Sequence, residues 1–559
     1  MSITRREWLW VSIAATLVMA LTTIPYAMGL SRSDADWHFS GFVFGVDDGN
    51  SYIGKMALGA RGEWLFHLFY TTEPHRPIVA FGFHLLLGRL AVLFAPPTDP
   101  IALHDRLVTW YHAARIVCGF ALLLVSYRFC AEFLRFRSQR RLAFILIALG
   151  GGLGWLLALA RVGGLPIDFY SPEAFTFLDL YGLPHLSAAR VLLLAGLIFY
   201  LRGIGRSTES RKSDSSPSSF FPRSVPSSFL WLLLGLIQPL YVLVGYAILA
   251  AHIVALSLFR LPVRRALTAA IIIGLISSPM VLYTAYVFRA DPILAQWQRQ
   301  NTIVSPNPLH YLAGWGLWLV PAIPGAISII RRFSWPRHSS PVTRHPSPAT
   351  RHASLLLIGW LAVVPFLLYL PYNLQRRLAE GAQLPVVCLA VIGLTVGLAP
   401  WIRKRARRWI AIGVTGLSVP TTAMLLFGGM IAASRPAPPI FLPGDEIAAF
   451  RWLAEHAAPG DAVLSTFEIG NALPAYAPVV VYLCHGPETA FADRKRAEVQ
   501  TFFRVETSDD ARRTLLNAGG INFVVFDGPA RSGVFDPESA GYLQRQFEIG
   551  EFAAYRVRR

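Results

Sequence analysis

Long apolar runs separated by short polar stretches set the pattern of this chain from residue 8 to residue 432. Runs such as 142–160, 266–288 and 409–432 approach or exceed the ~20 residues a helix needs to cross a hydrocarbon core. Segments at 8–30, 105–131, 142–160, 186–203, 226–238, 240–259, 266–288, 311–330, 354–370, 383–401 and 409–432 predict about eleven spans. The run 226–259 is too long for one helix, and Gln238-Pro239 marks a turn within it, since proline ends the preceding helix. Segment 77–95 is also apolar, but crossing there would put the basic cluster that follows span 2 on the outside. It is therefore expected to lie as a helix at the outer membrane interface. Residues 1–30 carry a small-x-small Ala27-Met28-Gly29 like that of a cleaved signal. Their apolar stretch is longer than a signal core, so they read as a retained first span.

From about residue 440 the texture changes. Residues 445–457 read as an amphipathic helix, and 462–466, 479–483, 522–526 and 552–557 as short strands, with helical stretches near 489–503 and 508–518. The expected organisation is a polytopic helical membrane domain, 1–438, followed by a small α/β domain, 439–559. Within the first, 31–76 is expected as the first outer loop and 77–95 as the interfacial helix. The Ser/Pro/Arg-rich stretches 204–225 and 333–353 read as cytoplasmic linkers.

Charge gives direction. The formal charge of +18 comes largely from short clusters between apolar runs, such as Arg135, Arg137, Arg140 and Arg141, then Arg331 and Arg332, then 403–408. That is the pattern of cytoplasmic loops in a membrane protein and argues against nucleic acid as a partner. Arg5 and Arg6 put the N-terminus in the cytoplasm, so residues 31–76 and the C-terminal domain fall on the outside of the plasma (inner) membrane. The four cysteines show no metal-like or disulfide spacing.

The outer face then collects the residues able to do chemistry. Asp47 and Asp48 follow the first span, and carboxylates beside a bilayer are costly unless solvated, paired or used. The sequence Asp48-Gly49-Asn50-Ser51 also reads as a solvated turn, but Trp37, Phe39, Phe42 and Phe44 draw the segment toward the membrane. A carboxylate held there, near cations, suits a general base. Arg376 and Arg377 lie in a short outer loop where few basic residues are expected. Adjacent guanidiniums offer planar forks of donors to a phosphate, or they snorkel toward lipid headgroups. Glu73-Pro74-His75 and His185 are candidates for substrate or metal contacts, or for structural roles.

The acidic residue after span 1, the interfacial helix leading into span 2 and the exterior α/β tail resemble the GT-C superfamily of membrane glycosyltransferases, with its aminoarabinose, mannosyl- and galacturonosyltransferase-like members. Matching stretches are 48–56, 70–75, 375–381 and 473–477. The resemblance implies an inverting sugar transfer from a polyprenyl-phosphate donor to a glycan, lipid or protein acceptor at the outer face. It favours Asp48 as base, at the family offset from Tyr52 and Lys55, with Asp47 as helper and Arg376 and Arg377 on the leaving phosphate. Tyr52, Lys55, Glu73, His75 and His185 are then the expected substrate contacts. The oligosaccharyltransferases keep a metal site with further acidic ligands; no such partner set stands out here, so no cofactor is expected and dependence on a divalent metal is left open without support from the sequence. A flippase for lipid-linked saccharides is the competing class. Transporters place polar residues mid-span and often show repeats, whereas here they crowd one face. A scaffold that kept the fold without activity is the third.

Overall fold

The computed structural model describes residues 3–161, 163–205, 224–334, 348–528 and 535–558. Among these, nine helices are long and apolar enough to cross a membrane, from Arg5–Leu30 (α1) to Lys404–Ser434. Two shorter apolar helices, Val225–Ile237 and His352–Leu368, coincide with the expected segments 226–238 and 354–370. The helix break at Gln238 falls where the Gln238-Pro239 pair predicts it. The chain is a multi-pass membrane protein. The two expected linkers lie largely outside the described residues.

Contacts group the chain into two compact units. One comprises Met1–Thr22, Arg115–Thr284 and Ile303–Phe427; the other comprises Thr23–Ala114, Ala285–Thr302 and Gly428–Arg559. Among the described residues the first holds helices and no strand. At its centre Arg190 is fully buried, with Nη1 2.5 Å from Asp179 Oδ2 and Nε 2.6 Å from Glu380 Oε1.

The second unit is mixed, and its first part departs from expectation. Residues 46–60 do not form a polar loop but a helix, Val46–Ala60 (α2), with Asp47 and Asp48 in its first turn. Gly45 enters it in the left-handed region (φ 56°), and acidic groups there meet the positive end of the helix dipole. Val46, Asn50, Ile53 and Ala57 recur every three or four residues and are buried together. Tertiary burial of that face overrides the turn propensity of the Gly-Asn-Ser sequence. The next helix, Gly82–Ala91 (α3), packs closely on α2 because both supply glycine at the crossing. A Cβ on Gly59 would overlap the Leu85 carbonyl, and one on Gly88 the Met56 carbonyl. At ten residues, about 15 Å, α3 is too short to cross a bilayer. It leads into Pro100–Cys130 (α4).

Strands Trp37–Phe39 (β1) and Phe441–Pro443 (β2) form an antiparallel ribbon that ties the segment after α1 to the start of the C-terminal region. Beyond it a five-stranded sheet is built from Ala462–Leu464 (β3), Val480–Val481 (β4), Phe523–Phe526 (β5), Leu543–Ile549 (β6) and Phe552–Val557 (β7), in the order β4-β3-β5-β7-β6. Strands β4, β3 and β5 run parallel, and β7 and β6 add antiparallel. Two elements here are absent from the sequence reading. The first is β6, whose Leu-Gln-Arg-Gln-Phe-Glu-Ile run is too polar to announce an edge strand. The second is the helix Phe467–Tyr476, which contains Gly470 and Pro474.

Candidate active site

Asp48 accepts a hydrogen bond at Oδ1 from His485 Nε2, 3.1 Å away. The Asp48 side chain is 62% exposed, whereas that of His485 is 13% exposed. His485 follows β4 in a loop that faces α2 twice. Two turns further along α2, Lys55 is buried and donates to Glu488 Oε1 (2.7 Å) and Ser51 Oγ (2.6 Å). Gln300 Nε2 holds the same loop by the carbonyls of Gly486 and Pro487. Between them Asn471 acts as a clasp. It accepts from Asn50 Nδ2 (2.8 Å), donates to the Asp47 carbonyl (3.3 Å) and accepts at its own carbonyl from Tyr70 Oη (2.9 Å). The Tyr70 ring lies nearly parallel to His485 at 5.7 Å. The imidazole is thus fixed on one face by an aromatic ring and at Nε2 by a carboxylate. His485 Nδ1 is buried and makes no hydrogen bond among the described residues.

The electrostatics follow from this packing. Burial raises the Asp47 carboxyl above its ordinary range; His485 opposes that and the adjacent Asp48 charge adds to it. For His485 burial favours the neutral ring, but the Asp48 hydrogen bond and the Glu488 charge outweigh it, so its pKa is raised. An acidic pair and an imidazole inclined to carry a proton therefore share the open end of α2.

The other sequence-selected residues of this unit are largely engaged. Tyr52 stacks on His84 at 4.8 Å. Glu73 pairs with Lys495 Nζ at 2.6 Å and with the Thr71 hydroxyl. Burial pushes its pKa up, but Lys495 prevails and holds it below the usual carboxylate range. His75 accepts the Leu68 N–H at Nε2 (2.8 Å) and donates from Nδ1 to the Glu73 carbonyl (2.8 Å). Both its ring nitrogens are thus used by backbone, which leaves none for a metal. A cavity of about 480 Å³ beside Glu73 and His75 is also lined by Gly460, Gly519 and Asn522.

Arg376, Arg377 and His185 belong to the helical unit. Arg376, in the short helix Gln375–Ala379, stands over the Tyr170 ring at 4.9 Å, and its buried Nε makes no hydrogen bond among the described residues. Arg377 Nε is 3.9 Å from Glu173 Oε1. His185 is buried in the first turn of Pro184–Gly205. Sequence reasoning missed His485, Glu488 and Asn471. Each lies more than 400 residues from its partner on α2, and no local pattern marks it.

No protein-family model matches the chain, and no curated protein matches it in sequence. In structure it is similar to the archaeal oligosaccharyltransferase AglB from Archaeoglobus fulgidus, in complex with an inhibitory peptide and a dolichol-phosphate. That likeness has a TM-score of 0.54 at 12% identity and covers 94% of this chain and 70% of the other. The apo form of the Archaeoglobus fulgidus oligosaccharyltransferase gives 0.54 at 13% identity, over the same shares. ArnT from Cupriavidus metallidurans bound to undecaprenyl phosphate is matched over 99% of this chain and 98% of that one, at 14% identity and a TM-score of 0.49. At these identities the likeness is one of fold: the chain is folded as the archaeal oligosaccharyltransferase is, in keeping with the membrane-glycosyltransferase fold that the resemblance in sequence layout implied.

Proposed function

We propose that the chain transfers a sugar from a polyprenyl-phosphate donor to an acceptor hydroxyl on a glycan, lipid or protein, with inversion, at the outer face of the plasma membrane. The observation that carries this reading is Asp48 in the first turn of α2, solvent-accessible and oriented by His485, in a chain with the GT-C fold. In the proposed step the Asp48 carboxylate takes the acceptor proton as its oxygen bonds to the anomeric carbon. The bond from that carbon to the phosphate oxygen breaks, and polyprenyl phosphate leaves with the electron pair. His485 keeps the carboxylate aimed, and its proton balances the second acidic charge of Asp47.

Arg376 is proposed to hold the donor phosphate. Its guanidinium keeps an unused donor and is oriented by Tyr170, whereas Arg377 stands beside Glu173. Lys55, Glu73 and His75 are proposed to shape the site through the contacts described, with Tyr52 and His185 as substrate-facing candidates. The helix α3 is proposed to lie on the membrane surface. Leu86, Leu90 and Leu93 recur at helical spacing and stay exposed, next to exposed Phe94 and a Trp64 ring covered by Arg89. The proposed orientation keeps the N-terminus in the cytoplasm and the C-terminal region outside.

The test offers radiolabelled polyprenyl-phosphate sugars to the purified chain in nanodiscs. Transfer is expected for at least one donor. Arg376→Ala is expected to weaken donor binding more than acceptor binding, and more than Arg377→Ala does. Equal weakening on both sides, or a larger effect at Arg377, would move the phosphate elsewhere.

A further inference from the structure

His38, His104 and Asp105 each bring one potential ligand atom to within 4.8 Å of the other two. His38 sits in β1, where its backbone pairs with Leu442 of β2, and the other two sit near the start of α4. His104 is fully buried, and its ring lies flat against Tyr476 at 3.9 Å with 12° between the planes. Ribbon and stack thus fix both imidazoles before anything binds. Asp105 is 55% exposed, which gives the cluster a way in from water.

The distances separate two accounts of the cluster. His38 Nε2 is 3.1 Å from Asp105 Oδ1, and His104 Nδ1 is 3.3 Å from the same oxygen. The His104 approach is itself a hydrogen bond, Nδ1 to Oδ1. The His38 nitrogen is buried yet makes none among the described residues, despite its short distance. A buried ring nitrogen that converges on this shared oxygen without an aligned bond to it stands where a ligand atom of a common ion would stand. Ligands bound at ~2.0–2.1 Å in a tetrahedron stand about 3.3 Å apart. Two imidazoles and one carboxylate also form a donor set suited to zinc, with a fourth position left for water.

We propose that His38, His104 and Asp105 bind a divalent transition metal of the zinc class that pins β1 to the start of α4. The site shares no residue with the Asp48–His485 pair and needs no sugar transfer. Its test does not depend on the reading given above.

The experiment uses the full chain purified without a polyhistidine tag, stripped with chelator, desalted and titrated with zinc alone. Bound metal is counted by mass spectrometry, and thermal unfolding is followed by intrinsic fluorescence. About one equivalent of tightly held zinc and a Tm that climbs with free zinc are expected. His38→Gln and Asp105→Asn, chosen because His104 is fully buried, are expected to lose both responses while keeping the metal-free Tm. Asp48→Asn is expected to keep them. Zinc retention in the His38 and Asp105 variants, loss of zinc in Asp48→Asn, or no bound equivalent in the parent chain would each overturn the site.

Discussion

The two charged clusters on Arg190 and on α2 both pair basic side chains with an aspartate and a glutamate, and they end in opposite conditions. Arg190 is enclosed. Beyond Asp179 and Glu380 it donates to the Pro172 and Glu173 carbonyls and the Thr176 hydroxyl, so the whole guanidinium fork is used. The α2 cluster is buried at Lys55 and Glu488 but exposed at Asp48, with Glu488 Oε2 and a ring nitrogen of His485 making no hydrogen bond among the described residues. Charge beside a membrane is thus no sign of a site by itself. Saturation and access to solvent separate a charge that holds the fold from one that can act.

The sharpest way to break this comparison is Arg190→Met. It would strand two buried carboxyl groups, at a cost of about 3–5 kcal/mol or more. Loss of monodisperse protein on size exclusion is expected; a well-folded variant would remove the structural half of the contrast. Asp48→Asn is the counterpart. It should lower turnover roughly 10²–10⁴-fold, the usual worth of a positioned base, while leaving thermal unfolding close to that of the parent. Near-normal turnover would shift the base to Asp47.

Part of this contrast was legible in the chain. Apolar runs long enough to cross a bilayer announce themselves, and all eleven expected segments coincide with apolar helices. Asp47 and Asp48 stood out because acids are rare beside such runs. What stayed hidden depends on contacts distant in sequence. Turn-forming Gly-Asn-Ser predicts a loop because nothing local reveals that α3 and the helix Phe467–Tyr476 bury that face. Arg190 was overlooked since an isolated arginine in an apolar helix carries no partner in its own sequence. His485 lies 437 residues from Asp48 in an ordinary His-Gly-Pro-Glu loop. Its role exists only once the sheet is folded.

A third carboxyl tests the rule between these extremes. Glu446 is buried in the helix Gly444–His456 and has no ion-pair partner among the described residues. Burial, with some help from Asp527, pushes its pKa from 4.5 up to about 8. Between those values the folded chain keeps a proton that the unfolded chain releases, so stability falls as pH rises from 4.5 and levels off above 8. Glu446→Gln removes that penalty. It should stabilise the protein by about 1–3 kcal/mol at pH 8.5 and change little near pH 4.5. An equal effect at both pH values would mean the carboxyl is not held neutral.

The smallest expected effect discriminates best, because it asks whether the open pair contributes to folding at all. The pKa of His485 is raised above 6.5 in the folded chain, so its charged contact with Asp48 stabilises fully below that value and fades as pH rises through the raised one. Asp48 is 62% exposed, and solvent screening limits the contribution to about 0–1 kcal/mol. His485→Gln should therefore lower Tm slightly at pH 5.5 and not at pH 9, while turnover falls at both because the carboxylate loses its aim. If Tm instead drops strongly and equally at both pH values, His485 is a packing residue like Arg190. The distinction between the two clusters would then rest on exposure alone.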